Sequence, residues 1–390
     1  MNSTTASPEI AKKSDANFSL FNKLESYEHE QVVICSEPAA GLKAIIAIHD
    51  TTLGPALGGV RMWPYNSEEE AMHDVLRLSR AMTYKAAISG LNFGGGKAVI
   101  IGDPHSDKSE KLFRAFGRYV DSLGGRYLTA EDVGMEMQDM EWIHMETKFV
   151  TGIPRELGGS GDPSPVTARG VYMGMKACAN KAYGHDSLEG LTIGIQGAGH
   201  VASYLAELVH KEGAELLISD IYQEKAKKLA EKVDAKVVGP DAIYEQDLDI
   251  FSPCALGAVI NDQTIVELNC DIVAGGANNV LEDEDKHGQL LVDKGVIYAP
   301  DYVINAGGII NISSELEGYN EERALGKASR IYDVMLDILD YAEKQDLPPF
   351  KAANILAEQR IKEIGNLQSI RATNSHLSGR LGEIYFNDRN

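Results

Sequence analysis

The chain has 390 residues but only four cysteines, Cys35, Cys178, Cys254 and Cys270. None stands in a CxxC pair and each lies among apolar or small neighbours, which excludes a disulfide framework and a zinc site and points to reduced thiols in the cytosol. Basic residues are also scarce: 37 Lys and Arg against 58 Asp and Glu leave a net charge of −21. That balance argues against nucleic acid and against an anionic membrane face as partners, because both reward clustered positive charge. Small anions stay open, since local groups can hold them. No apolar run reaches the roughly 18 residues of a membrane span. The opening Met1 to Ser7 has no apolar segment of the signal-peptide kind, and no arginine occurs up to about Asn17 to suggest a transit peptide. Residues 1–18 are expected to form a flexible tail.

What is present is a 44% hydrophobic chain of ordinary charged content, long enough for two domains with cores of their own. Its centre of gravity is Met82-Thr-Tyr-Lys85 leading into Gly90-Leu-Asn-Phe-Gly94-Gly95-Gly96-Lys97. Three consecutive glycines give up side-chain packing, so a folded chain keeps them for a turn with φ > 0 or for a close backbone approach. Here they read as a turn. Lys97 precedes the β-branched run Ala98-Val-Ile-Ile101, which reads as a buried strand. Desolvation at the strand mouth is expected to lower the pKa of Lys97 and suit it to general-base work. Lys85 admits a structural reading as well, because it falls near a helix C-terminus whose dipole favours a cation.

Before this stretch, Gln31-Val-Val-Ile-Cys35 and Leu42 to Ile48 read as strands across a Pro-Ala-Ala-Gly turn. Next, His49-Asp-Thr-Thr-Leu-Gly54-Pro-Ala-Leu57-Gly58-Gly59 is a small-residue loop, either a plain connection or a source of N–H groups for a carboxylate. Ser67-Glu-Glu-Glu70 is a capping box, and Ala71, Val75, Leu78 and Met82 then recur at helical spacing to about Gly90. Further on, Leu112 to Leu123 reads as a helix and Arg126 to Ala130 as a strand ending in Glu131-Asp132. A carboxylate there is a cap or a catalytic group, and Asp132 is a candidate only where it converges with Lys97. Glu131, one residue away, points to the opposite side of an extended chain.

Gly158-Gly-Ser-Gly-Asp-Pro-Ser-Pro165 is the clearest linker, and the composition changes across it. After a small-residue helix to about Tyr183 comes Leu191-Thr-Ile-Gly-Ile195, then Gly197-Ala198-Gly199-His200-Val201-Ala202, a helix, and Glu215 to Ser219 ending at Asp220. Strand, glycine turn, helix, strand and terminal acid together identify a dinucleotide-binding βαβ unit. Gly197 allows the tight turn, Gly199 lets backbone meet a pyrophosphate, and Ala202 permits close helix–strand packing. Asp220 suits ribose hydroxyls and repels a 2′-phosphate, so NAD is expected over NADP. The strands at Ala235, Leu248, Asp271 and Val296 continue a doubly wound sheet. Cys254, Ala255 and Asn278 stand at carboxyl ends of its strands, where ligands of such sheets sit.

These motifs, with Ala130-Glu-Asp-Val-Gly and Pro300-Asp-Tyr-Val-Ile-Asn-Ala-Gly-Gly, resemble those of the glutamate/leucine/phenylalanine/valine dehydrogenases, the leucine branch most closely. The similarity runs from about Glu25 to Leu367. It implies an α/β protein of two domains, an N-terminal mixed α/β catalytic domain and a Rossmann-type doubly wound NAD-binding domain. Their expected bounds are 19–152, joined by C-terminal helices from 343–390, and 153–342. It also implies NAD-dependent, reversible deamination of an L-amino acid to a 2-oxo acid and ammonia, by a homo-oligomer, a dimer or an octamer. By the same resemblance Lys85 pairs with the substrate carboxylate, helped by the Gly58-Gly59 backbone. Lys97 activates water, Asp132 exchanges a proton with the amine, and Thr167 and Asn278 contact the cofactor. Leu57, Ala130, Ile309 and Ile312 match the side-chain pocket. All four are apolar, which disfavours glutamate and favours leucine, valine or isoleucine. Isoleucine where valine is usual narrows the cavity, and each methylene shifts discrimination by about 1–3 kcal/mol. The alternatives are a phenylalanine, tryptophan or other apolar amino-acid dehydrogenase and, in another class, an idle NAD-binding regulator.

Overall fold

The computed structural model describes residues 19–367 apart from Leu256. The tail expected over residues 1–18 and the polar stretch from about Ser369 lie outside them. The first domain is built on a six-stranded sheet: β1 (Gln31–Glu37), β2 (Leu42–Asp50), β3 (Ala56–Leu57), β4 (Val60–Trp63), β5 (Gly94–Ile101) and β6 (Tyr127–Leu128). Its order is β1-β2-β5-β3-β6, with β4 running along β5 beyond β3. The contacts of β2 with β1 and β5 are antiparallel, while β3 and β4 lie parallel to β5. Helices α1 (Leu20–Tyr27), α2 (Glu68–Ile88), α3 (Glu110–Ser122) and α4 (Met137–His144) cover this sheet. The Ser67 hydroxyl accepts from the Glu70 N–H at 3.1 Å, as a cap should. The reciprocal half of the box is displaced by one residue, since Glu70 accepts from the Asn66 N–H at 2.8 Å.

The glycine triplet is not a turn. All three residues lie inside β5, in extended conformation, and the second reason for keeping glycine applies. A Cβ on Gly95 would fall 2.2 Å from the Thr83 backbone nitrogen, and one on Gly96 would fall 2.7 Å from the Tyr127 ring. The missing side chains let α2 lie directly on the strand that carries Lys97, and so bring Lys85 and Lys97 to one cleft. On the other face Phe113, Phe116, Tyr127 and Met140 are fully buried, each worth about 1.5–3 kcal/mol by area.

The second sheet is wholly parallel in the order β12-β11-β10-β7-β8-β9, with β7 (Thr192–Gln196), β8 (Glu215–Ser219), β9 (Lys236–Val237), β10 (Leu248–Pro253), β11 (Cys270–Val273) and β12 (Ile297–Tyr298). The order reverses at β7, the switch point where doubly wound sheets bind nucleotides. Its helices are α5 (Ser164–Tyr183), α6 (His200–Glu212), α7 (Gln223–Lys232), α8 (Thr264–Glu267), α9 (Glu284–Asp293), α10 (Asp301–Ile304), α11 (Gly307–Glu315), α12 (Glu321–Ser329), α13 (Ile331–Gln345) and α14 (Pro349–Gly365). The last of these returns to the first domain and packs on α2. There Arg360 donates to the carbonyls of Ala87 at 3.1 Å and Leu91 at 2.8 Å, satisfying the end of the helix that presents Lys85. Among the described residues no helix is long and apolar enough to cross a membrane.

Candidate active site

Lys97 faces into the cleft from β5 and is 6% exposed. Its Nζ lies 3.0 Å from Asp132 Oδ2, so the two residues that sequence reasoning tied together do converge. Asp132 stands just beyond β6, where Ala130 accepts from the Val60 N–H at 2.8 Å and holds the turn against β4. Burial pushes the Asp132 carboxyl up, but Lys97 and Arg61 outweigh it and hold the group below its ordinary range. Desolvation and then the nearby Asp139 carboxylate raise the pKa of neighbouring Glu131.

Lys85 reaches across the cleft to the second domain. Its Nζ donates to Asn305 Oδ1 at 2.8 Å and lies 3.4 Å from Asn278 Oδ1. Burial takes the pKa of Lys85 from 10.5 to about 8, with Asp301 opposing the shift and Lys97 adding to it. Its hydrogen-bond partners are neutral amides, whereas Lys97 has a carboxylate at hydrogen-bond distance.

Gly58 and Gly59 lie in the break between β3 and β4. A Cβ on Gly58 would strike the Gly96 carbonyl at 1.8 Å, and one on Gly59 the Glu131 carbonyl at 2.7 Å. The Gly58 N–H is already given to the Leu128 carbonyl at 3.1 Å. Leu57 and Ile309 are buried in one continuous apolar cluster that spans both domains, and half-buried Ile312 packs against it.

At the switch point Gly197 adopts φ +106°, and a Cβ added there would fall 3.0 Å from the Ala255 nitrogen. Gly199 is the N-cap of α6, followed by exposed His200, half-buried Val201 and buried Ala202. A Cβ on Gly199 would meet nothing within 4 Å, so open space lies over the helix N-terminus, as an anion requires. A groove of about 370 Å³ runs from Gly197, Ala198 and Gly199 past Asp220 and Tyr222 to Cys254 and Ala255. The Asp220 carboxylate is oriented by the N–H groups of Ala198 at 2.8 Å and Tyr222 at 2.7 Å. These features fit a dinucleotide: pyrophosphate at the α6 N-terminus and ribose at Asp220. Thr167 is buried at the start of α5, its hydroxyl donating to the Pro163 carbonyl at 3.0 Å. The Cys254 thiol accepts from the Gly276 N–H at 3.4 Å and is an inert part of the wall, its pKa raised by burial.

Two residues escaped sequence reasoning. Arg61 donates from Nε to Asp132 Oδ2 at 3.0 Å, and only its place just after Gly58-Gly59 could have signalled it. Asn305 donates from Nδ2 to Asn278 Oδ1 at 2.8 Å and to the Ala277 carbonyl at 3.1 Å, so it ties Lys85 to the loop after β11. It stood within a motif already singled out, but with no chemistry of its own to mark it.

The chain is similar to known proteins over both of its domains. The family model described as Glu/Leu/Phe/Val dehydrogenase, dimerisation domain, matches residues 29–149. The model described as Glutamate/Leucine/Phenylalanine/Valine dehydrogenase matches residues 158–222 and 218–368. A leucine dehydrogenase of Thermoactinomyces intermedius is 55% identical over 350 residues, 90% of this chain and 95% of that protein. A phenylalanine dehydrogenase of Bacillus thermotolerans is 50% identical over 91% of this chain and 94% of its own length. The crystal structure of L-tryptophan dehydrogenase from Nostoc punctiforme superposes with a TM-score of 0.80 at 45% identity, covering 89% of this chain and 99% of that one.

Proposed function

Because the chain belongs to the Glu/Leu/Phe/Val dehydrogenase family, and so is an NAD-dependent amino-acid dehydrogenase, we propose that it deaminates branched-chain L-amino acids in the cytosol, as a homo-oligomer. The observation that carries the site assignment is the buried Lys97–Asp132 pair at 3.0 Å, in the cleft that Lys85 crosses. In this reading Lys85 and the Gly59 N–H bind the substrate carboxylate, displacing the Asn305 amide from Nζ. Asp132 takes a proton from the substrate amine, which must be neutral before Cα can release hydride. A dinucleotide in the groove, held by Gly197, Ala198, Gly199 and Asp220, with Thr167 and Asn278 towards its nicotinamide, supplies the hydride acceptor. Lys97 then removes a proton from water as it attacks the imino carbon, Asp132 returns its proton to the amine, and as the C–N bond breaks to release ammonia the hydroxyl oxygen becomes the carbonyl and yields its remaining proton to the Asp132 carboxylate. The apolar contact of the two domains excludes bulk water from these transfers.

Leu57, Ala130, Ile309 and Ile312 offer the substrate side chain no charge, which supports an aliphatic substrate over glutamate. The phenylalanine and tryptophan dehydrogenase relatives favour an aromatic substrate as the second reading. The test is NADH formation with leucine, valine, isoleucine, phenylalanine, tryptophan and glutamate, each with NAD and with NADP. Fastest turnover of a branched substrate with NAD is expected, and Lys97→Ala is expected to abolish it while sparing NAD binding. Preference for phenylalanine or tryptophan would select the second reading; near-normal turnover by Lys97→Ala would remove the catalytic assignment.

A further inference from the structure

Lys97 is not the only cation on the reacting carboxylate. Arg61, on β4, and Lys97, on β5, make their closest approach to Asp132 at the same oxygen, Oδ2, each at 3.0 Å. The guanidinium then continues outward: Arg61 Nη1 lies 3.0 Å from Asp74 Oδ2, and Asp74 Oδ1 lies 2.9 Å from Arg77 Nη2. The Tyr65 hydroxyl donates to Asp74 Oδ2 at 2.8 Å. A row of alternating charge, Lys97, Asp132, Arg61, Asp74, Arg77, therefore runs from the buried site to the half-exposed surface of α2.

We propose that Arg61 is a positioning residue of this site: a permanent cation that pins Asp132 by Oδ2, turns Oδ1 to the substrate amine, and keeps the carboxylate charge-balanced when Lys97 gives up its proton. The proposal rests on the reading of Lys97 and Asp132 as the reacting pair. Its logic is one of unequal partners. To accept a proton from water Lys97 must be neutral, and once it is, before Asp132 takes the amine proton, the carboxylate has lost one of its two counter-ions. A guanidinium does not deprotonate in this range, so Arg61 still stands opposite Asp132 and the carboxylate does not take up a proton at the wrong step. Asp74 moderates that cation from its far side, and Tyr65 and Arg77 hold Asp74 in place. The other groups that face Asp132 are Lys85 from α2, Glu131 beside it in the chain, Tyr127 from β6 and Tyr65. They stay the same in the variants below, so their fields cancel from the comparison.

The arrangement makes opposite predictions for its two members. Removing a nearby cation raises the pKa of the Asp132 carboxyl, and removing a nearby anion lowers it. The experiment is the pH profile of kcat/KM for oxidative deamination with NAD, in wild type, Arg61→Gln, Asp74→Asn and Arg61→Lys. The acid limb is expected to move up by about 1–3 pH units in Arg61→Gln, the span over which such a charge acts on a neighbouring carboxyl. In Asp74→Asn it is expected to move down, by less, because a whole residue separates it from the pair. Arg61→Lys restores the charge without the fork and is expected to return the limb towards wild type at reduced kcat. NAD affinity within about twofold of wild type shows that each variant is folded. A purely structural role would lower activity without moving the limbs in opposite senses. Unshifted limbs, or shifts of one sign in both variants, would overturn the role given to Arg61 while leaving the activity standing. A wild type that turns over no amino acid would overturn the functional reading beneath it. Should Arg61→Gln fail to fold, Asp74→Asn decides alone, since no loss of packing predicts its downward shift.

Discussion

Raising the pH from 7 to 10 is expected to strip the cleft of its hold on carboxylates long before an ordinary lysine would titrate. Lys85 is the group responsible, its pKa taken from 10.5 to about 8 by burial, against the pull of Asp301 and Asp132 and with the push of Lys97. A carboxylate ligand binds the charged form. With a pKa near 8, only about one Lys85 in a hundred is charged at pH 10, so the dissociation constant should rise roughly tenfold per pH unit above 8 and about a hundredfold by pH 10. A lysine at its ordinary value would still be roughly three-quarters charged there and would lose almost nothing. The assay is calorimetric titration with 4-methylpentanoate, a branched carboxylate that has no amine and so does not react, between pH 6.5 and 10. Lys85→Arg is the control, because a guanidinium stays charged throughout and its curve should be flat. A flat curve in wild type, or the same bend in Lys85→Arg, would refute both the depressed lysine and its role at the carboxylate.

Two glycines separate packing from ligand space. Gly95→Ala drives a methyl to 2.2 Å from the Thr83 nitrogen and is expected to cost several kcal/mol in urea unfolding, about 3 or more, whereas Gly199→Ala meets nothing within 4 Å and should unfold like wild type yet bind NAD more weakly. Equal stability of the two variants would contradict the close approach of α2 to β5. Acid sensitivity should come from a pair packed against α2, half-buried His29 and buried His49: burial takes both down to about 4, with His49 further lowered by His29. Their rings lie 4.8 Å apart, edge to face, and bond Ser79 and Thr83 at 2.8 Å each. Being neutral when folded, they leave the unfolded chain to bind the protons, so stability is full above pH 6.5 and is lost as pH falls from there to 4. A melting temperature that does not change over that window would remove them as the cause. Asp220→Ala should weaken NAD and narrow its advantage over NADP, to be read from the two Kd values; unchanged discrimination would count against a ribose contact.

Much of this was legible in the chain because it is local. The cap at Ser67, the strand–glycine–helix order from Leu191 to Asp220 and the apolar strands of the second sheet are written in neighbouring residues, and each appears within a residue or two of its expected place. Elements fixed by distant partners were harder to read. Arg126 to Ala130 looks like a five-residue strand, yet only Tyr127 and Leu128 form a ladder, with β3; beyond them Thr129 bridges Val150 and Glu131 bridges Val60 singly, as the chain turns to carry Asp132 to Lys97. Glycines 94–96 look like a turn because nothing nearby announces that a helix will lie on them.

By itself, then, the sequence determined the two-domain α/β plan and the nucleotide-binding turn, and it nominated the groups proposed for the chemistry, since composition, period and spacing are properties of adjacent residues. Only the tertiary structure decided that burial depresses Lys85, that Gly58 gives its N–H to Leu128, and that Arg61 and Asn305 stand beside Asp132 and Lys85. Those outcomes depend on burial and on distances between residues as far apart as 61 and 132 or 85 and 305, which exist only once β4 lies beside β5 and the second domain closes on α2.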